Sequence, residues 1–478
     1  MANLLARIDN RLGDRLEDAV RRHHRRRLRR LGRLGELDAP SGDFARGDPP
    51  PRSGNSFEVL VDGEAALPAI ADAIAGARSS VDLAGWHFAP DFELDGRGSS
   101  LREILSAAAE RVDVRVLAWG GSPLPLFHPD REEVRQTMRR LVGGTRIRWG
   151  LDTRERPMHC HHEKLVIVDG ELAFVGGIDL TSLAGDRFDR SRHPARGAVG
   201  WHDATARLRG PAVADVAAHF ALRWRETTGE SLAADPAPPE AGDTTVQVVR
   251  TVPERIYRAL PGGEFRILEA YVAALRSAEE YVYLESQFLW SPEIVEVLEE
   301  KLAQPPRDEF RLVALLPARP NNGGDDTRGQ LGVLLEADGG AGRFLSCTLY
   351  QAGTEPPQPV YVHAKIALVD DRWLTLGSAN LNEHSLFNDT EMNVVVADPR
   401  HARSLRERLW SEHLERDASD LAAPVHELVD DLWRPRAEHA YDCVRRGLAP
   451  PHRLSRLPHV SRRSARVLGP INGLLVDG

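Results

Sequence analysis

Along most of this chain, stretches with apolar residues at three- and four-residue steps alternate with short, apolar-rich runs bounded by Gly, Pro and Asp. That pattern predicts helices alternating with strands. In HEKLVIVDGELAFVGG, residues 162–168 predict a strand, Asp169–Gly170 a hairpin turn and ELAFVGG the returning strand. HAKIALVDDRWLTLG, from His363, has the same form. AIAGARSSVDL (73–83) and ALRSAEEYVYL (274–284) each read as a helix end running into a strand. Asp203-ATARLRG-Pro211 and Glu391-MNVVVAD-Pro399 read as strands of equal length, each leading into a helix with a tryptophan, Trp224 or Trp410. At the N-terminus Leu5, Ile8, Leu12, Leu16 and Val20 predict a helix with one apolar stripe.

These elements are written twice. The helix–strand segment and the twenty residues from His161 both recur at an offset of 201, whereas the acid-to-proline strands recur at 188. The first copy therefore holds thirteen extra residues between its motif and its acid, placed in LAGDRFDRSRHPARGAVG. The expected organisation is a basic N-terminal helical segment (1–54), a first repeat (55–228), a Pro- and Ala-rich linker (229–245), a second repeat (246–420) and a C-terminal tail (421–478). Strands alternating with helices imply an α/β sandwich with buried sheets.

Length and composition, 478 residues with 42% hydrophobic and 28% charged, allow a large core. No apolar run approaches the roughly 18 residues of a membrane span, and the N-terminus lacks the pattern of a secretory signal. The expectation is a cytoplasmic protein, without the disulfide framework or Cys-x2-Cys zinc pattern that Cys160, Cys347 and Cys443 are too few and too scattered to make. A net charge of -9 gives no general reason to expect nucleic acid as partner. Residues 1–40 depart from this, with eleven Arg against six acids. A basic amphipathic helix there is either a solvated face or a peripheral contact with an anionic membrane.

The repeated chemistry lies in His162 and Lys164, and again in His363 and Lys365. One H-x-K on a strand is incidental, but two in matching surroundings are not. Phosphodiester cleavage needs a nucleophile, a proton donor for the leaving oxygen and positive charge around the phosphoryl oxygens. Two histidines and two lysines supply all three without a metal, and no carboxylate cluster in the sequence offers a metal a site, so no cofactor is expected. Each imidazole also needs an acceptor on its second nitrogen. The repeat points to Asp203 and Glu391, with Asp186 and Asp189 as alternatives. Asp169 and Asp370 occupy turn positions and are expected to shape the motif.

HHEKLVIVDGELAFVGGIDL and VHAKIALVDDRWLTLGSANLNEHSLFNDTEMN resemble the paired H-x-K-x4-D signatures of the phospholipase D superfamily. WHDATARLRGPAVADVAAHFALRW and VYLESQF resemble segments of its lipid-cleaving members. The resemblance implies duplicated phospholipase D-like α/β sandwich domains with pseudo-twofold symmetry. It also implies one shared active site complete within a monomer, with His162 as nucleophile and His363 as general acid. Candidate substrate-binding residues are Asn380, Asp179, Ser378 and Gln287, with Trp86 and Glu285 at neighbouring strand ends. Two positions depart from the pattern: Asp179 stands where the second copy has Asn380, and His384 stands where many relatives have Arg. The expected function is phospholipid cleavage through a phosphohistidine. The alternatives are transphosphatidylation of the cardiolipin synthase kind, a nuclease, and a non-enzymatic membrane-binding scaffold.

Overall fold

The computed structural model describes residues 2–124, 128–156, 158–181, 201–233, 236–320 and 324–459. Helix α1 (Ala2–Leu31) and the short α2 (Leu34–Leu37) come first. Strands β1 (Arg52–Val61), β2 (Ser80–Gly85), β3 (Asp113–Trp119), β4 (Arg148–Asp152), β5 (Leu165–Val168), β6 (Leu172–Gly176), β7 (Trp201–His202) and β8 (Ala204–Arg209) follow. They are interleaved with α3 (Asp62–Ala75), α4 (Leu101–Ala109) and α5 (Arg131–Val142) and end in α6 (Val213–Thr228).

The second series is β9 (Thr244–Val252), β10 (Glu264–Phe265), β11 (Tyr281–Glu285), β12 (Arg311–Leu315), β13 (Phe344–Tyr350), β14 (Pro359–Val362), β15 (Ile366–Val369), β16 (Trp373–Gly377) and β17 (Glu391–Val396). Its helices are α7 (Arg266–Ser277), α8 (Pro292–Ala303), α9 (Gly324–Asp338) and α10 (Pro399–Leu414).

Pairing repeats strand for strand. The first sheet runs β4-β3-β2-β5-β6-β8-β1 and the second β13-β12-β11-β15-β16-β17-β9. In each, the first three strands are parallel and the rest antiparallel. The sheets join where β1 pairs with β9. One apolar cluster gathers Val59, Ala206 and Trp224 with Val394, Leu409 and Trp410, so the two halves share a core. A second covers the far side of the first sheet under α3, α4 and α5, and a third covers the far side of the second sheet under α7 and α8. The outcome is the expected α/β sandwich class, with both faces of each sheet covered.

Three sequence expectations change. The motif strands begin at Leu165 and Ile366, after the His-x-Lys residues, because the N–H groups of those residues are engaged elsewhere. Of the expected tail (421–478), the described residues 421–459 are built into the fold. Trp433 is buried in the shared core, and β18 (Leu454–Arg456) extends the edge of β13. The arginines of α1 are also not all a solvated face, since its C-terminal part packs on the second half. Arg27 is buried against Glu254 at 2.6 Å and donates to the Phe387 carbonyl, and His24 meets Glu293 at 2.7 Å. Among the described residues no helix is long and apolar enough to cross a membrane.

Candidate active site

Each H-x-K segment is hung from the opposite half. The His162 and Glu163 N–H groups both donate to the Thr390 carbonyl, at 2.9 and 3.1 Å. Reciprocally, the His363 and Ala364 N–H groups donate to the His202 carbonyl, at 2.8 and 3.0 Å. Thr390 and His202 each immediately precede the acid of their own half. The acids are therefore exchanged: His162 Nδ1 lies 3.0 Å from Glu391 Oε1, and His363 Nδ1 lies 2.6 Å from Asp203 Oδ2. With Nδ1 of each imidazole set against an acid, its tautomer and ring orientation are fixed.

The lysines return to the same place. Lys164 Nζ donates to the His162 carbonyl at 2.7 Å and Lys365 Nζ to that of His363. Their further surroundings differ. Lys164 is paired with Asp179 at 3.2 Å, whereas Lys365 approaches the amide oxygen of Gln287 at 3.4 Å, which Asn380 also contacts. Asp179 and Asn380 are equivalent by the repeat, so the departure noted in the sequence neutralises one of the two lysines. Asn380 Oδ1 is buried with no hydrogen-bond partner among the described residues, leaving an acceptor at this spot.

Ser378, expected to touch substrate, instead spends its hydroxyl on Glu391 and accepts from the Met392 N–H at 3.1 Å. Ser385, not singled out in the sequence, holds the other Glu391 oxygen at 2.6 Å. In the first half Gly177 occupies the position of Ser378, and a Cβ there would stand 2.3 Å from Asp203 Oδ1. The shorter acid is thus approached by bare backbone, and the longer one is braced by two hydroxyls.

Asp169 and Asp370 lie away from this cluster. Each sits at the tip of a tight turn at positive φ (58° and 53°) and accepts three backbone N–H groups, of residues 78–80 and 279–281 respectively. Glu285 is interior, bonded to His202 and His413, and Trp86 stacks on Trp119. Trp201, whose ring lies 4.4 Å from that of His363, carried no signal beyond its place before His202. Asp186 and Asp189 lie outside the described residues.

Burial governs the electrostatics. It pushes the Asp203 carboxyl from 3.8 up to about 7 against the pull of Lys365, and that of Glu391 from 4.5 up to about 8 against Lys164. Burial also lowers the Lys365 ammonium to about 8 and drives the His363 imidazole well down, helped by Lys365, Lys164 and His162. For the His363–Asp203 pair the direction is toward one shared proton and no net charge at neutral pH. Two ammonium groups then stand beside a near-neutral acid–imidazole core, an arrangement short of an anion.

The family described as "Cardiolipin synthase, PLD-like domain" matches residues 271–412. Phospholipase D A of Dictyostelium discoideum is 25% identical over 471 residues, covering 76% of this chain and 36% of its own. Phospholipase D2 of Bos taurus is 24% identical, covering 81% and 56%. The chain is thus similar to phospholipases D and to a PLD-like domain. It spans between about a third and just over half of the length of these two curated relatives. The fold is similar to that of phosphatidylserine synthase from Haemophilus influenzae Rd KW20. That structure superposes with a TM-score of 0.50 at 13% identity, over 81% of this chain and 95% of that one.

Proposed function

We propose that this protein is a phospholipase D-type phosphodiesterase that cleaves phospholipid through a phosphohistidine, with residues 55–228 and 246–420 as its two repeats. The observation that carries the proposal is the pair of crossed imidazole–carboxyl contacts, His162–Glu391 and His363–Asp203, with a lysine beside each.

In this reading the diester phosphate binds between Lys164 and Lys365. Its charge offsets the two ammonium groups and favours a proton on His363. His162 Nε2 attacks phosphorus, while its Nδ1–H, held by Glu391, stabilises the imidazolium character that develops. His363 Nε2–H protonates the departing alcohol, and Asp203 holds the other nitrogen. The neutral His363 then takes a proton from water as that water attacks the phosphohistidine. Phosphatidic acid is released and both imidazoles return to their starting state. Asn380 and Gln287 bind the phosphoryl oxygens. Asp179 limits the charge of Lys164, and Asp169 and Asp370 hold the motif turns. The names of the curated relatives support a phospholipid substrate, and the exposed Arg22, Arg26, Arg29 and Arg30 of α1 support peripheral contact with an anionic bilayer.

The test is product identification. Purified protein is incubated with vesicles of labelled phosphatidylcholine and phosphatidylethanolamine containing an anionic lipid, with and without ethanol, and separately with DNA. Phosphatidic acid, replaced in part by phosphatidylethanol, is the expected result. DNA cleavage without turnover of any lipid would overturn the substrate class.

A further inference from the structure

A second cluster lies next to the candidate site and plays no part in the chemistry above. His384 opens a π-helical turn (His384–Asn388) whose closing bond runs from the Asp389 N–H to the His384 carbonyl at 2.8 Å. That five-residue step brings His384 and Asp389 together on one side. His159, three residues ahead of His162, reaches in from the first half. Its Nδ1 is 3.0 Å from His384 Nδ1 and 3.3 Å from Asp389 Oδ1, and His384 Nδ1 is 3.9 Å from Asp389 Oδ2. Asp389 is held in place by the Cys160 N–H, which donates to Oδ1 at 2.9 Å. Its Oδ2 is buried and has no hydrogen-bond partner among the described residues.

We infer that His159, His384 and Asp389 form a binding site for a divalent transition metal of the zinc class, which clamps the two halves together beside the His162–Glu391 pair. Two imidazole nitrogens and a carboxylate are a borderline-soft donor set suited to zinc, with a fourth position left for water. Metal–ligand distances of about 2.0–2.1 Å in a tetrahedron put neighbouring donors about 3.3 Å apart; the two imidazole nitrogens are 3.0 Å apart, and the Asp389 oxygens nearest to them lie at 3.3 Å (Oδ1 to His159) and 3.9 Å (Oδ2 to His384). The Nδ1 atoms face each other with room for one proton at most, and an unpaired carboxylate oxygen faces the same space. That is a concentration of lone pairs a cation resolves. His159 is 13% exposed and gives the ion a way in. The Cys160 N–H supplies the outer support that orients a ligating carboxylate.

Among the described residues, the other cluster of two histidines and a carboxylate, His202, Glu285 and His413, makes a poor comparison. It is fully buried, and both ring nitrogens of His202 are engaged by carboxylates.

The inference does not rest on the proposed activity, and its readouts are binding and stability. The full chain is stripped with chelator, desalted and titrated with Zn2+ by calorimetry and with Co2+ by visible absorption, and melting is followed with and without Zn2+. One ion per chain, the intense d–d bands of four-coordinate cobalt and a raised Tm are expected. His384→Arg supplies the relatives' residue, and His159→Ala changes a partly exposed side chain. Each should lower affinity about a hundredfold or more and abolish the cobalt spectrum while circular dichroism stays unchanged. Absence of stoichiometric binding by the native chain, or binding equally tight in both variants, would overturn the inference.

Discussion

His162 and Glu391 are 229 residues apart in the chain, yet their side chains meet at 3.0 Å across the boundary between the repeats. Glu391→Gln keeps the shape but replaces the carboxyl by an amide whose NH2 can face the ring and fix the wrong imidazole tautomer. We expect kcat to fall by about a hundredfold to ten-thousandfold with KM little changed, as when the acid of a catalytic triad is replaced by its amide. Steady-state kinetics on vesicles or a soluble diester checks this.

The same carboxyl makes a prediction about stability. Folding raises Glu391 from 4.5 to about 8, so its contribution to stability is full below about pH 4.5 and is lost as the pH rises through about 8. Asp203 is raised in the same way, to about 7, but the depressed His363 opposes it below pH 6.5. The two contributions therefore oppose each other below pH 6.5, and between 6.5 and about 7 that of Asp203 declines alone. Urea midpoints at pH 5 and pH 8 should therefore differ less in Glu391→Gln than in the native chain. Proton affinity enters at roughly 1.4 kcal/mol for each tenfold change. An unchanged difference between the two pH values would contradict the burial of an ionisable Glu391.

Asp179 neutralises Lys164, whereas its counterpart Asn380 leaves Lys365 without an acid on that side. Asp179→Asn should lower KM for an anionic diester by about threefold to tenfold, the effect of removing one partly screened negative charge. The empty enzyme should lose stability, because a buried ammonium is left without its partner. Melting with and without inorganic phosphate separates the effects, since the anion should restore much of the lost Tm.

The two histidines should differ in kind. His162→Asn should give no phosphoenzyme, having lost the atom that attacks phosphorus. His363→Asn should be slow with alkyl diesters and partly recover with a nitrophenyl leaving group, which needs little protonation. Rapid quench followed by mass spectrometry of acid-labile phosphohistidine decides the assignment. Phosphate on His363 alone would reverse it.

For the N-terminal helix, exposure separates two groups of arginines. Charge reversal of Arg22, Arg26, Arg29 and Arg30 should weaken binding to anionic vesicles, at about 1 kcal/mol per residue near the surface, and leave Tm unchanged. Arg27→Ala should instead lower Tm, because it leaves the Phe387 carbonyl and Glu254 without their buried donor. Sedimentation with vesicles and thermal melts distinguish the two behaviours.

How much of this was legible in the sequence depends on what repetition can encode. The matched offsets located both H-x-K segments and pointed to Asp203 and Glu391 as imidazole partners, because equivalent positions carry equivalent side chains. They could not say that the acids are exchanged between halves, since an alignment compares copies and is blind to contacts between them. The strand expected to start at His162 starts at Leu165 for a related reason, as the first two N–H groups of the segment go to Thr390 in place of a neighbouring strand. Ser385 left no trace because its counterpart falls in a region where the repeat is interrupted by the longer first-half loop. The tail gave too little pattern to reveal β18, whose three residues are a strand only because the edge of β13 accepts them.

The two carbonyls that carry the H-x-K segments, Thr390 O and His202 O, give the protein a built-in check on its own completeness. Either half without the other would lose one side of the shared core, and its histidine would have neither its backbone anchor nor its acid. A partly unfolded or proteolytically nicked molecule is therefore expected to be inert, with no chance of loosely selective hydrolysis. Reactivity toward phosphorus becomes a property that appears only when both copies are present, and it should vanish in the same step as their contact.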